Sequence, residues 1–193
     1  TYEIEGSEQV LDGTTILSWL TINDDLSVTV DSDMAASYAQ QLASKYNTYA
    51  STRSFETTAG DTVKIGGGDY GWVINKKGEA AQIVEDIKNG ESVTREPKYE
   101  QRAFVEGADD IGNTYIEIDY TNQHLWYYKD GSLVVDSDIV SGNLNNGNGS
   151  PDGVFKVISR QSPATLKGED YESDVTYFMP FAYNVGLHDA SWR

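Results

Sequence analysis

The sequence predicts an α+β chain: a mixed α/β N-terminal half followed by a mostly β half. Three observations carry this. Two segments of the first half repeat apolar residues at helical spacing, and the second half alternates apolar and polar residues in short runs. Between them, residues 91–112 lose both periods and hold Glu96-Pro97 and Gly107-Ala-Asp-Asp-Ile-Gly112, the composition of a joint. Two domains are expected, 1–108 and 109–193.

In chain order, Gly13–Ile22 is β-rich, Asn23-Asp-Asp25 supplies a turn, and Leu26–Val30 alternates as a strand. Asp31 or Ser32 offers an N-cap. Met34, Tyr38, Leu42 and Tyr46 follow at spacing four, with Tyr49 beyond, and read as one buried helix face. Ser54–Thr58 is strand-like. Gly66-Gly-Gly68 has no Lys behind it and precedes a strand, so it reads as a tight turn or bulge rather than a phosphate cradle. A second helix spans Glu79–Asn89, with Ala80, Ile83, Val84 and Ile87 inward and Gly90 as its terminator.

In the second half, Asn113–Tyr120 alternates, with Ile116, Ile118 and Tyr120 on one face. Gln123–Lys129 forms the next strand, Asp130-Gly131 closes a hairpin, and Leu133–Val140 returns. A polar loop over 141–153, a strand over 153–159, another polar loop over 160–173 and a last strand over 174–187 complete an all-β meander. A sheet ending on an apolar strand, in a chain that begins at Thr1, reads as an excised piece of something longer.

Composition excludes several function classes. The formal charge is −17, which disfavours nucleic acid and anionic lipid surfaces as partners. With no cysteine there is no disulfide, no thiolate metal site and no thiol catalysis within these residues. No metal or other cofactor is expected. Asp24-Asp25, Asp109-Asp110 and Glu169-Asp170 read as solvated loop charge rather than as glycosidase carboxylates. Asn145–Asp152 lacks the spacing of a Ca²⁺ loop.

Two histidines remain. His124 shares a strand face with Trp126 and Tyr128 and reads as a cross-strand packing residue. His188, followed by Asp189, ends the last apolar strand and is the candidate general base. Gly186 allows close backbone approach beside it, and Trp192 can line the same cleft.

Several segments occur in one order: Asn113–Tyr120, Gln123-His-Leu-Trp-Tyr-Tyr-Lys-Asp-Gly131, Ile139-Val-Ser-Gly142, Ser150-Pro-Asp-Gly-Val-Phe155, Phe178-Met-Pro-Phe181 and Gly186-Leu-His-Asp-Ala-Ser-Trp-Arg193. Together they resemble the catalytic domain of the YkuD-type L,D-transpeptidases, a β-sandwich. Arg53–Thr58, Gly67–Trp72 and Pro97-Lys-Tyr99 resemble the peptidoglycan-binding domain that precedes it in Gram-positive, enterococcal-like members.

The resemblance implies a cysteine acyl transfer that releases D-Ala from tetrapeptide stems and makes 3→3 peptidoglycan cross-links. It casts His188 as the base that activates the thiol, with Asp189 or a backbone carbonyl orienting its ring, and Met179, Gly186 and Trp192 lining the substrate cleft. The family's Ser-His-Gly-Cys motif, expected downstream of His188, does not occur here, so this fragment is expected to be inactive alone. The same resemblance implies a monomer at the extracellular membrane face or cell wall, anchored through a segment not present here, with peptidoglycan stem peptides as partners. A non-catalytic wall-binding or adhesion module is the alternative.

Overall fold

The computed structural model describes residues 1–143, 147–168, 171–183 and 185–190. Their architecture is mixed, mostly short strands with three helices. By contacts the chain divides into two units that do not follow one cut in sequence. The first comprises Thr1–Tyr49 and Gly71–Gly112, the second Ala50–Tyr70 and Asn113–Arg193.

The first unit opens with the hairpin β1 (Tyr2–Ile4) and β2 (Ser7–Gln9), then α1 (Gly13–Leu17), β3 (Leu20–Ile22), β4 (Val28–Val30) and α2 (Ser32–Tyr46). Helix α1 replaces part of the strand expected over Gly13–Ile22. Asp12 caps it by accepting from the Thr15 amide at 2.8 Å, and this local bond outweighs the β preference of Thr14, Thr15 and Ile16.

Asp31 caps α2, accepting from Asp33 and Met34 amides. The buried face of α2 is Ala35, Ala39, Leu42, Ala43 and Tyr46. Of the expected stripe Leu42 and Tyr46 are buried, whereas Met34 is exposed and Tyr49, also exposed, lies beyond the end of the helix.

The chain then leaves for the hairpin β5 (Arg53–Glu56) and β6 (Thr62–Ile65), which packs in the second unit, and returns as β7 (Val73–Ile74), α3 (Lys76–Asn89) and β8 (Tyr99–Gln101). Asn75 caps α3, and Gly90 ends it with φ +68. Tyr2, Ile4, Trp19, Ala35, Leu42, Ala43, Tyr46, Ile74 and Ile83 form one core. Glu79 is fully buried inside this unit. It accepts from the Tyr2 hydroxyl at 2.6 Å, the Lys98 amide at 2.6 Å and two Arg95 nitrogens at 2.7 and 3.0 Å. Burial, and then the bond to Glu79, push the Tyr2 hydroxyl far above its ordinary pKa. Asp110, expected to be solvated, is also fully buried and accepts from the Thr48 hydroxyl.

In the second unit, β9 (Tyr115–Asp119), β10 (His124–Lys129) and β11 (Ser132–Asp138) form an antiparallel sheet in the order β11-β10-β9. Asp130 and Gly131 both take positive φ (51° and 77°), the turn an Asp-Gly hairpin requires. Phe55 of β5 packs edge-on against Tyr115 at 5.4 Å, and the Thr58 hydroxyl donates to Glu117 at 2.6 Å. The glycine segment is a close approach between strands: a Cβ on Gly68 would lie 2.0 Å from the Val154 carbonyl oxygen.

Two expectations for this half are corrected. The strand expected over 153–159 is reduced to the Gly68–Val154 bridge and backbone bonds such as Ile158 N–H to the Pro180 carbonyl at 2.8 Å. The polar loop over 160–173 contains most of a hairpin, β12 (Ala164–Lys167) and β13 (Glu172–Val175), whose register sets Thr165 against Asp174. Polar residues hide such a hairpin because most of its side chains stay exposed or half-exposed, Val175 being buried. Glu169-Asp170 and Asn145 lie outside the described residues. The last strand is itself a hairpin, β14 (Phe178–Ala182) and β15 (Val185–His188), with Tyr183 at φ +51. No helix among the described residues is long and apolar enough to cross a membrane.

Candidate functional site

Hairpin β14–β15 carries His188, and its sequence dictates its geometry. Pro180 has no N–H and faces Gly186 across the ladder. A Cβ on Gly186 would lie 2.5 Å from Phe178 Cε2, 2.7 Å from the Met179 oxygen and 2.8 Å from Pro180 Cα. Gly186 therefore permits the close approach of the two strands, while its outer side reaches the cleft. On its other edge β14 pairs with Gln161 through two backbone bonds with Phe178 of 2.9 and 3.0 Å.

One side of the sheet and this hairpin line a cleft of about 1110 Å³ within the second unit. Ile118, Leu125 and Ser137 stand in register across β9, β10 and β11 and share the cleft face. Phe181, Val185, Leu187 and His188 come from the hairpin, and Ser141, Gly142, Asn148 and Ser150 from the loop after β11. Its lining mixes apolar side chains such as Leu125 and Phe181 with polar ones such as Ser141 and Ser150.

His188 is exposed at this cleft, and its Nδ1 lies 2.9 Å from the Asp189 backbone oxygen. A carbonyl can only accept, so Nδ1 carries the proton in this contact. A neutral ring so held has its lone pair on Nε2, the tautomer a general base needs. The Asp189 carboxylate does something else: it accepts from the Thr176 and Tyr177 amides at 3.1 and 2.7 Å and pins the turn before β14. Those bonds, Tyr177's foremost, hold its pKa below the ordinary carboxylate value. Of the two ways of orienting the ring, the backbone carbonyl is the one present.

Met179 is not among the lining residues. A bulge between Pro180 and Ala182 shifts the register of β14, and Phe181 lines the cleft, its ring tilted against Phe155 with centroids 5.6 Å apart. A bulge has no signature in an apolar run, so Phe181 was not readable as a lining residue. Trp192 lies outside the described residues. Gln123, Ser141, Gly142 and Ser150 were missed as lining residues, although all four stand in the ordered segments that carry the family resemblance.

His124 sits on the sheet's other face. Its Nε2 lies 2.7 Å from Asp136, its Nδ1 2.9 Å from Asp138, and its ring 4.5 Å from Trp126. The hydrogen bond that its ring donates to Asp136, foremost, raises its pKa against the opposing effect of desolvation.

Residues 1–95 match the family described as "Putative peptidoglycan binding domain", and residues 113–193 match the L,D-transpeptidase catalytic domain, YkuD. The chain is 38% identical to the avibactam carbamoyl enzyme of Ldtfm, over 100% of its own length and 76% of that chain, with a TM-score of 0.76. A cysteine-to-serine mutant of Enterococcus faecium L,D-transpeptidase aligns at 38% identity over 100% of this chain and 77% of that one, also with a TM-score of 0.76. Comparison with curated protein sequences returns no match. Cleft, histidine geometry and full-length likeness agree: the chain belongs to the L,D-transpeptidase family.

Proposed function

We propose that this chain supplies the stem-peptide cleft and the general base of an L,D-transpeptidase that makes 3→3 cross-links in the cell wall. The observation that carries the reading is the His188 ring, tied through Nδ1 to a backbone carbonyl at the edge of the cleft. In this reading Nε2 takes the proton of a cysteine thiol, and the thiolate attacks the stem carbonyl that precedes the terminal D-Ala. The C–N bond breaks, the imidazolium returns the proton to the departing D-Ala amine, and a thioester remains. An amine from a neighbouring stem then attacks the thioester, forming the new amide and releasing the thiol.

The sequence contains no cysteine, so the nucleophile in this proposal lies outside these 193 residues. Residues 1–95 then act as a wall-binding domain, and the protein works at the extracellular membrane face, held by an anchor also outside these residues.

The test is D-Ala release from a tetrapeptide stem by the complete gene product, wild type against His188→Ala. Activity that depends on both His188 and a downstream cysteine supports the proposal. A gene product with no cysteine after Arg193 sinks it. The absence of cysteine from these residues favours a second reading, a wall-binding module without catalysis, which that outcome would leave standing.

A further inference from the structure

Gln123 is a non-glycine residue at φ +53, in the turn between β9 and β10. The turn does not need it. Asp119 already holds the turn, accepting from the Thr121 amide at 2.8 Å, the Asn122 amide at 3.0 Å and the Asn122 side chain at 2.7 Å. Glycine would take this backbone conformation without strain. A glutamine there must be held by what its side chain does.

That side chain makes three bonds. Its Nε2 donates to the Tyr120 carbonyl at 2.6 Å and to the Ser141 hydroxyl at 2.8 Å, and its Oε1 accepts from the Ser141 amide at 2.7 Å. Its own backbone oxygen accepts from the Ile139 amide at 2.8 Å. The connection then runs on. The Gly142 amide donates to the Ser150 hydroxyl at 3.0 Å, and the Tyr120 hydroxyl donates to the Pro151 carbonyl at 3.1 Å. Tyr120, Gln123, Ser141, Gly142, Ser150 and Pro151 therefore close a ring of hydrogen bonds, and all but Pro151 line the cleft that His188 lines. The wall has no room for adjustment by side chains, since a Cβ on Gly142 would meet the Asn148 oxygen at 2.0 Å.

We propose that Gln123 is a positioning residue of the stem-peptide site: its amide fixes the Ser141–Gly142 wall of the cleft, joining the β9–β10 turn to Ser150. This rests on the reading of the cleft as the place where the stem binds. Gln123 touches no reacting atom; it acts through Ser141, Gly142 and Ser150.

The experiment uses the ¹⁵N-labelled chain, wild type against Gln123→Gly, which keeps the turn and removes the amide. Amide exchange is followed at Ser141, Gly142 and, as a control, Tyr127. A tetrapeptide stem ending in D-Ala is titrated into both proteins. Losing one net hydrogen bond corresponds to a change of about tenfold or less. Exchange at Ser141 and Gly142 is expected to speed by about that factor while Tyr127 is unchanged, and stem affinity to fall several-fold. Gly142 is decisive, because its own donor goes to Ser150 and not to Gln123.

Gln123→Glu separates positioning from mere folding. Its carboxylate keeps the acceptor for Ser141, and protonation restores a donor. Its stem affinity relative to wild type should recover as pH falls. Unchanged exchange at Gly142 and unchanged stem affinity in Gln123→Gly would overturn the proposal and leave Gln123 a turn residue. A wild-type chain that ignores the stem overturns the stem-peptide reading and the functional part of this proposal with it, while exchange at Gly142 still decides whether Gln123 holds the wall.

Discussion

The two histidines stand at the ends of strands in the same unit, yet their surroundings differ. His124 is clasped between two carboxylates, one on each ring nitrogen, and Asp119 faces it from β9. Such a ring is stabilised in its charged form and serves as a cross-strand clamp. His188 rests one nitrogen on a carbonyl, which fixes a tautomer without adding a negative charge. The partners differ in kind: carboxylates draw the proton onto His124, whereas the carbonyl fixes which nitrogen of His188 carries the hydrogen. Glu79, in the first unit, is the extreme of the clasped kind, fully buried with four donors around it.

The sharpest way to break this contrast is to exchange the fates of the two rings. In an active gene product, His188→Ala should lower D-Ala release by about 10²–10⁴-fold, the usual worth of a positioned base, while His124→Gln leaves turnover within a few-fold. Equal losses at both positions would abolish the distinction.

Glu79→Ala comes next. It leaves the Tyr2 hydroxyl and Lys98 amide without their acceptor and Arg95 without its buried partner. Urea unfolding should show about 3 kcal/mol of lost stability, with stem binding by the folded protein unaffected.

Gly186→Ala tests whether the hairpin needs its close approach. The new Cβ meets Met179 and Pro180 backbone atoms as well as the Phe178 ring. A cost of about 1–3 kcal/mol is expected, together with displaced resonances of His188.

The smallest effects concern pH. The folded-state pKa of His124 is raised above its ordinary value of 6.5. Its stabilisation is therefore complete below that unfolded value and drains as pH climbs through the raised folded one. Melting temperature should decline slightly over that window in wild type and not in His124→Gln. Asp189 has the opposite sign. Its folded pKa is depressed below 3.8, so its contribution is present above that value and is lost as pH falls through the folded one. Asp189→Asn should remove this acid limb and leave the His188 contact, which uses the backbone, in place.

Much of this molecule could be read from residue order. The periods of α2 and α3, the Asp31 cap, the Gly90 terminator, the Asp130-Gly131 turn and the alternation of β9 depend on neighbours three or four positions away. What failed did so where distant residues intervene. Asp12 turned a β-rich run into α1. Residues 50–70 pack with the second unit because Phe55 and Thr58 meet Tyr115 and Glu117, partners roughly sixty positions on. Asp110 is buried because Thr48 satisfies it, which no local composition announces.

By itself the sequence determined the class of the chain, its acidic surface, the absence of a thiol and the family to which it belongs. Those are properties of composition, short-range period and ordered motifs. Only the tertiary structure decided how the candidate site is arranged: that Asp189 offers His188 its carbonyl while its carboxylate accepts from the Thr176 and Tyr177 amides, that Phe181 lines the cleft, and that Gln123 reaches Ser141. Each depends on register, bulge or backbone dihedral, quantities set by strands meeting across the fold and invisible along it.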